Sequence, residues 1–439
     1  MNRQRKIGDF ASVKGGKRLP AGTALTQTPT AHPYIRIVDF KDGRVDKSNL
    51  MYVPENVFPR IARYTISSDD IYISIVGTVG LTGVIDTTLD GANLTENAAK
   101  ICEISDEVDR DYLAAFLKSN QGQNQIKSLS VGSTQPKLAL FRIKDIEVPL
   151  PPLPEQRAIA HILGTLDDKI ELNRRMNETL EELSRAIFKS WFVDFDPVKA
   201  KAEGRQPVGM DAETAALFPD SFEDSELGPI PAGWGVSSVG ELCKVVTRGV
   251  TPNYQPGSDK WIINQRVNRG RELDWGNAKE LHPDIEVPPE KMAHHHDVLV
   301  NCLGEGTLGR VHFFNGESGR FAVDQHMSIC RATHAGVAAY LYLSLASPQG
   351  QARIEASKTG STGMTMFNIS RLRSFPVMLP PHSLTEAFGK SVLHLFDLVQ
   401  CNVEESETLT ELRDTLLPRL ISSQLRIPDA EKLLAEAPV

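Results

Sequence analysis

Two long stretches of the chain place apolar residues at alternating steps of four and three positions. The first runs from Glu155 to Trp191 and contains no proline and a single glycine. Its repeating apolar positions are Leu166, Ile170, Leu180 and Ile187, and the polar residues Asn173, Asn177 and Ser184 fill the other places in the series. A repeat of 3.5 residues is typical of a helix that packs along a coiled-coil seam.

The same spacing returns near the end of the chain. The second series consists of Leu395, Val399, Asn402, Ser406, Leu409, Arg413 and Leu416. Asn173 and Asn402 occupy one seam position, where a buried asparagine fixes the register of a coiled coil at some cost in stability. The pattern predicts two long helices, and if they are antiparallel and aligned end to end, Asn173, the midpoint of 155–191, is expected to meet Asn402.

Short apolar runs bounded by turn residues precede each long helix. They lie at 71–76, 100–104, 297–303 and 310–314, and such runs are typical of β-strands. A single further helix is predicted in each half, over 110–128 and over 337–358. Both halves of the chain therefore follow one plan of strands, helix, polar segment and long helix.

Matching residues recur in the same order at an offset near 228, which indicates an internal duplication. Lys100-Ile101-Cys102 corresponds to Ser328-Ile329-Cys330, and Leu150-Pro151-Pro152 corresponds to Leu379-Pro380-Pro381. The predicted fold class is α+β, with two similar α+β domains separated by a long helical coiled coil. The predicted segments are a first domain 1–150, a first spacer helix 151–192, a connector 193–237 rich in proline, glycine and acidic residues, a second domain 238–381, a second spacer helix 382–425 and a tail 426–439.

Charge follows the same division. The 439 residues carry a net charge of −8, which argues at first against nucleic acid. However, 1–150 holds 19 Lys and Arg against 17 Asp and Glu, and 238–381 holds 15 against 13, so the acidic excess lies in 151–237 and 382–439. Five scattered cysteines and the absence of an apolar signal or membrane segment predict a cytoplasmic protein.

Motifs for catalysis are missing. The sequence has no phosphate-binding loop, no Asn/Asp-Pro-Pro-aromatic tetrapeptide and no nucleophile elbow, and Pro283-Asp284 lacks the acid-x-Lys spacing of a metal-dependent nuclease. The run His294-His295-His296 is predicted to be a polar loop, because neighbouring side chains point in different directions. We expect no catalytic residue, no metal and no cofactor on this chain.

Two equivalent Gly-Ser-Thr segments flanked by lysine are suited to binding phosphate groups. They combine hydroxyl groups, free backbone N–H groups and positive charge. The predicted DNA-binding positions are polar or basic in both halves: Lys17, Arg18, Lys127, Ser133, Thr134, Lys137, Arg248, Arg266, Arg269, Lys358, Thr359, Ser361 and Thr362. The long helices also carry apolar residues beyond one seam, at Ile159, Leu163, Leu172 and Leu183, and an exposed apolar stripe marks an interaction site.

Four longer runs resemble the conserved segments of type I restriction–modification specificity subunits. They are LPPLPEQRAIA at 150–160, AIFKSWFVDFDPV at 186–198, GPIPAGW at 228–234 and LLPRLIS at 416–422. The chain departs from the pattern at His382-Ser383-Leu384-Thr385, where the first copy has Leu153-Pro154-Glu155-Gln156. This departure weakens the prediction of where the second long helix begins.

The resemblance implies a non-catalytic subunit that recognises double-stranded DNA through two target-recognition domains, which are held apart by an antiparallel pair of helices, an antiparallel helical coiled coil. It further implies two docked methyltransferase subunits and translocase–nuclease (restriction) subunits, which would hold S-adenosylmethionine, ATP and Mg²⁺. Two alternatives stay open on the sequence alone. One is a duplicated scaffold that binds protein rather than DNA, and the other is a nuclease or methyltransferase with an atypical site.

Overall fold

The structure is a computed structural model that describes residues 3–41, 43–132, 136–304, 306–358, 366–422 and 424–436. The chain divides into two compact units. Unit 1 comprises Met1–Leu172 with Glu405–Val439, and unit 2 comprises Asn173–Glu404. No helix in the described part of the chain is long and apolar enough to cross a membrane.

In its described residues, the first half of the chain holds twelve short strands and four α-helices. The strands are β1 Arg3–Lys6, β2 Ser12–Gly15, β3 Pro33–Ile35, β4 Phe40–Lys41, β5 Arg44–Val45, β6 Met51–Tyr52, β7 Thr65–Ile66, β8 Ile71–Ser74, β9 Thr82–Val84, β10 Ala92–Leu94, β11 Ala98–Cys102 and β12 Glu147–Leu150. The helices are α1 Arg110–Lys118, α2 Asn120–Leu129, α3 Leu140–Ile143 and the long α4 Leu153–Phe192.

The second half follows with a similar series. Its strands are β13 Phe222–Ser225, β14 Gly228–Pro231, β15 Gly235–Ser238, β16 Cys243–Arg248, β17 Trp261–Ile263, β18 Lys279–Glu280, β19 Asp297–Asn301, β20 Val311–Phe314, β21 Phe321–Val323, β22 Met327–Ala332 and β23 Pro376–Leu379. Its helices are α5 Asp196–Ala202, α6 Ala212–Ala216, α7 Val239–Leu242, α8 Ala335–Ala346, α9 Pro348–Ala356, α10 Ile369–Arg373, the long α11 His382–Ile421 and α12 Ile427–Glu436.

The sheets show that the duplication extends to topology. Unit 1 has a four-stranded sheet in the order β2-β11-β8-β9, and unit 2 has one in the order β16-β22-β19-β20, antiparallel throughout. A second sheet in each unit contains one parallel pair, β3 with β10 and β17 with β21. The first strand of each copy pairs with the strand before the long helix, β1 with β12 and β15 with β23. The α+β fold class is confirmed.

The single helices predicted over 110–128 and 337–358 are wrong, because each is two helices divided by a serine. Ser119 and Ser347 have extended backbones, and their hydroxyl groups accept hydrogen bonds from the N–H of Gly122 and Gly350. A serine in this position caps the start of a new helix. The division is therefore encoded by a capping residue that hydrophobic periodicity does not detect.

A polar layer joins α4 to α11 within unit 2. Asn173 is almost fully buried, and its Nδ2 lies 3.4 Å from the carbonyl oxygen of Asn402. Asn402 Nδ2 in turn donates to Asn177 Oδ1 at 2.8 Å. The predicted meeting of Asn173 and Asn402 is confirmed by these contacts. Amide groups that satisfy one another across a helix pair fix its register, because a shifted pairing would leave them buried without partners.

The segment predicted to be an irregular connector, 193–237, holds helices α5 and α6 and the hairpin β13–β14. It is ordered because its aromatic residues enter the core of unit 2. Trp234 and Phe218 are buried beside Trp191, and the rings of Trp191 and Phe218 meet edge to face with centroids 5.3 Å apart. Aromatic packing therefore orders this part of the chain, although its sequence shows no hydrophobic periodicity.

Candidate nucleic-acid interface

One end of the main sheet in unit 1 gathers four chain segments that are distant in sequence; we call it rim 1. Lys17 N donates to the carbonyl oxygen of Leu94 at 2.8 Å, just beyond the end of β2. Ile75 N donates to Asn97 O at 2.8 Å, and Leu138 N donates to Ile75 O at 2.9 Å. Rim 1 therefore consists of 16–18, 75–80, 94–97, 130–132 and 136–138, and the last two segments flank residues 133–135, which lie outside the described part of the chain.

Unit 2 builds an equivalent edge, rim 2, from the corresponding segments. Val250 N donates to Val323 O at 2.8 Å, matching the bond of Lys17 to Leu94. Cys302 N donates to His326 O at 2.8 Å, and Phe367 N donates to Cys302 O at 2.9 Å. Rim 2 therefore consists of 249–251, 302–304, 306–309, 323–326 and 366–367, and the last of these segments follows the second Gly-Ser-Thr sequence.

A glycine makes the close crossing possible in each rim. A Cβ atom added to Gly16 would lie 2.1 Å from the carbonyl oxygen of Thr95, and one added to Gly249 would lie 1.8 Å from that of Val323. Any side chain at these positions would force the crossing segments apart. Sequence reasoning missed both glycines as site residues, although each stands beside a predicted basic residue.

The predicted basic residues of unit 1 are on its surface. Lys17 is exposed and its Nζ lies 5.6 Å from the ring centre of Tyr64, while Arg18 pairs with Glu96 at 2.6 Å. Lys137 is exposed, and its backbone N–H and carbonyl groups each form a hydrogen bond with Val131. Lys127 is exposed in the last turn of α2. Lys17, Arg18 and Lys137 thus belong to rim 1.

The predicted basic residues of unit 2 are less uniform. Arg248 lies just before the rim 2 crossing, half-buried, and its Nε is buried with no hydrogen-bond partner in the described part of the chain. Arg266 is exposed, and Lys358 pairs with Glu355 on α9. Arg269 does not join rim 2. It pairs with Asp274 at 2.9 Å in a turn whose neighbour Arg271 reaches Glu181 of α4 at 3.3 Å.

Five predicted positions, Ser133, Thr134, Thr359, Ser361 and Thr362, lie outside the described residues, so their part in either rim stays a prediction. The seam residues are found on α4 and α11 and divide into two groups. Leu166, Asn173, Leu395, Leu409 and Leu416 are buried, whereas Ile170, Leu180, Ile187, Val399 and Asn402 are half-buried.

The predicted apolar stripe is partly wrong. Ile159 and Leu163 are buried in the core of unit 1, because the first turns of α4 pack against the sheet domain of that unit. Leu172 and Leu183 remain about half exposed, at 51% and 47%, as does Leu398 at 48%. The exposed apolar surface of the helices therefore lies toward their middle rather than at the start of α4.

The prediction that adjacent histidine side chains point apart is also wrong for His295 and His296. Their ring centroids are 3.9 Å apart, because His296 has a left-handed backbone with φ of 69° that breaks the alternation of an extended chain. These two imidazoles and the Asp397 carboxylate place one ligand atom each within 4.8 Å of one another.

Comparisons with known proteins agree with the duplicated fold. A family model described as the type I restriction modification DNA specificity domain matches residues 2–182. The chain is 25% identical to the type I restriction enzyme HindI specificity subunit of Haemophilus influenzae, over 84% of this chain and 89% of that protein. It is 23% identical to the MjaIX specificity subunit of Methanocaldococcus jannaschii, over 74% of this chain and 71% of that protein.

Among solved structures, the crystal structure of the type I restriction–modification S subunit from M. genitalium shares the fold. Its TM-score is 0.54 with 16% sequence identity, and the alignment covers 95% of each chain. The chain is thus similar in sequence to a type I specificity domain over residues 2–182 and to type I restriction enzyme specificity subunits over most of its length, and it shares its fold with a solved S subunit.

Proposed function

We propose that this chain is the non-catalytic DNA-reading subunit of a type I restriction–modification complex, and that it recognises a bipartite, asymmetric target. The observation that carries the proposal is the presence of two rims with the same backbone geometry and different side chains. Lys17 in rim 1 corresponds to Val250 in rim 2, and Glu96 corresponds to Gln325. Equivalent frames with different surfaces suit two readers of two different half-sites.

In this proposal the basic and hydroxyl residues of the rims contact DNA. Lys17, Arg18 and Lys137 would contact the backbone in one half-site, together with Ser133 and Thr134. Arg248, Arg266 and Lys358 would serve the other, with Thr359, Ser361 and Thr362. Lys127 and Arg269 would contact flanking phosphates, since phosphate contacts position a protein and base contacts specify the sequence.

We further propose that α4 and α11 serve as the scaffold for two methyltransferase subunits and for restriction subunits. The half-exposed residues Leu172, Leu183 and Leu398 support this, because apolar side chains on a helix surface gain free energy when a partner covers them. S-adenosylmethionine, ATP and Mg²⁺ would then be bound by the partner subunits rather than by this chain.

Rim 1 can be tested by measuring DNA binding of the assembled methyltransferase complex as salt concentration is varied. The double variant Lys17→Ala/Lys137→Ala should bind target DNA more weakly, and the slope of log affinity against log salt should fall by about one unit for each phosphate that the variant no longer neutralises. The matched control is Lys144→Ala. Lys144 is exposed in the same domain but contacts Gly8, before the start of β2.

The control should bind as the unaltered complex does. If the double variant kept both its affinity and its salt slope while the complex remained assembled, rim 1 would not be a DNA-binding surface and the proposed function would lose its structural support.

A further inference from the structure

Two histidines and an aspartate from separate elements meet on the surface of unit 2. His295 and His296 lie in the turn that leads into β19, and Asp397 lies about one hundred residues later on α11. One ligand atom from each of the three lies within 4.8 Å of the others. The target-recognition fold and the long helix thus contribute to one cluster of potential metal ligands.

The backbone holds the two imidazoles together. His296 has φ of 69°, a conformation that a residue with a side chain adopts at a cost in free energy. Its N–H donates to the carbonyl oxygen of Phe314 at 2.7 Å, and its ring stacks on Phe313 with centroids 5.5 Å apart. The unusual turn is therefore anchored on β20, and both rings are directed toward α11.

Asn315 contacts both the His295 imidazole and the Asp397 carboxylate, as the hydrogen-bonding partners of metal ligands commonly do. His295 Nδ1 lies 3.1 Å from the carbonyl oxygen of Asn315, which leaves Nε2 as the nitrogen with a free lone pair. The side-chain Nδ2 of Asn315 donates to Asp397 Oδ1 at 2.8 Å. The Oδ1 atom of the same amide is buried and has no hydrogen-bond partner among the described residues, so it is available to a metal-bound water.

We propose that His295, His296 and Asp397 bind a divalent transition-metal ion of the zinc class. Two imidazole nitrogens and one carboxylate oxygen are ligands that Zn²⁺ accepts, at about 2.0–2.2 Å each. Ligands at that distance from one ion stand about 3.4 Å apart in a tetrahedron, so small rotations of these partly exposed side chains would close the site.

Such an ion would join the turn before β19 to α11. It would hold the second recognition domain against its spacer helix, and removal of the metal would loosen that junction without removing any residue of rim 2. The proposed site is independent of the proposed DNA recognition, because none of its ligands belongs to either rim.

The experiment is calorimetric titration of Zn²⁺ into the full-length chain, prepared without a polyhistidine tag and freed of metal by chelation. We expect saturable binding of one ion per chain and a rise in melting temperature on binding. His295→Ala and Asp397→Asn should each weaken binding by about tenfold or more. Asn315→Ala should weaken it by about tenfold, because Asn315 holds His295 and Asp397 in position.

His294→Ala is the matched control, because His294 belongs to the same histidine run but not to the cluster. It should bind Zn²⁺ as the unaltered chain does. Equal binding by Asp397→Asn and the unaltered chain would overturn the proposal, as would the absence of saturable binding. Metal-free melting curves of all variants will show whether each is folded, so a loss of binding in a folded variant can be assigned to the site.

Discussion

At the junction between the sheet domain and the long helices, unit 1 uses ion pairs where unit 2 uses aromatic rings. In unit 1, Asp167 of α4 pairs with Lys118 at 2.8 Å and with Arg413 of α11 at 2.7 Å. In unit 2, the residue corresponding to Asp167 is Phe396, which packs on Phe313 and Tyr342 with ring centroids 4.8 and 5.7 Å away. One backbone plan therefore accepts two kinds of side-chain chemistry.

A second exchange lies inside the sheets. Gly83 on β9 has no room for a side chain, because an added Cβ would lie 2.0 Å from the carbonyl oxygen of Gly43. The corresponding residue on β20 is His312, whose Nδ1 lies 3.0 Å from the carbonyl oxygen of Gly270. Rims 1 and 2 keep equivalent backbone hydrogen bonds in spite of these exchanges. The backbone geometry of the two units is therefore retained where the packing of their side chains differs.

The largest expected effect comes from the aromatic core of unit 2. Trp191→Ala should lower the free energy of unfolding of unit 2 by about 3–5 kcal/mol, because the ring is buried among Phe192, Phe218 and Phe388 and leaves a large cavity. Urea unfolding followed by hydrogen exchange in each unit measures the change. Equal losses of protection in both units would contradict the separate cores described here.

The next effect is a dependence of the stability of unit 2 on pH, caused by His312. Burial lowers the pKa of His312 to about 4, so the folded unit resists protonation that the unfolded chain accepts from about pH 6.5 downward. The stability contributed by neutral His312 is complete above pH 6.5 and is lost as pH falls toward 4. Between pH 7.5 and 5 this loss should be about 2 kcal/mol.

His312→Gln should remove that part of the pH dependence, because glutamine does not titrate. The measurement is the difference in unfolding free energy between the two proteins over this pH range. A pH dependence identical in both would show that His312 is not a buried neutral group.

An effect of comparable size is expected at the ion-pair junction of unit 1. Burial alone would raise the pKa of Asp167, but Lys118 and Arg413 outweigh it and hold the pKa below its ordinary value. Arg413→Met should cost about 1–3 kcal/mol in unfolding free energy, because a partly buried carboxylate is left with a single cationic partner. Ser184 takes the corresponding place in unit 2, so Ser184→Ala is a control that should change stability far less.

The smallest effect concerns the polar layer. Asn402→Leu should change stability by less than about 1 kcal/mol, because apolar packing offsets the removal of the amide hydrogen bonds. Its expected consequence is relaxed helix register, visible as distance heterogeneity between spin labels on α4 and α11. A single sharp distance in the variant would show that the asparagines do not fix the register.

Much of the fold follows from local sequence patterns. The 3.5-residue period predicted α4 and α11, and the shared phase of their polar positions predicted the contact of Asn173 with Asn402. The duplication predicted one plan of strands and helices in both halves, and the sheet order that the two halves share agrees with that plan. These features depend on neighbours within a few residues or on comparison of the two copies.

The site was harder to predict because its contacts are long-range. Lys17 meets Leu94, and Ile75 meets Leu138, through backbone hydrogen bonds that no local pattern records. The pairing of His295 with His296 depends on the positive φ of His296. A histidine in the sequence does not indicate such a backbone conformation. The aromatic residues of 193–237 predicted packing but not the helices and hairpin that achieve it.

The central claim, that each unit reads its own half of the target, is tested most directly by exchanging residues 238–381 for the corresponding block of a relative with a different target. Methylated bases are then mapped in DNA treated with the assembled complex. The account predicts that one half-site changes to that of the donor while the other half-site stays as it was. A change in both half-sites, in a complex that assembles and methylates, would contradict it.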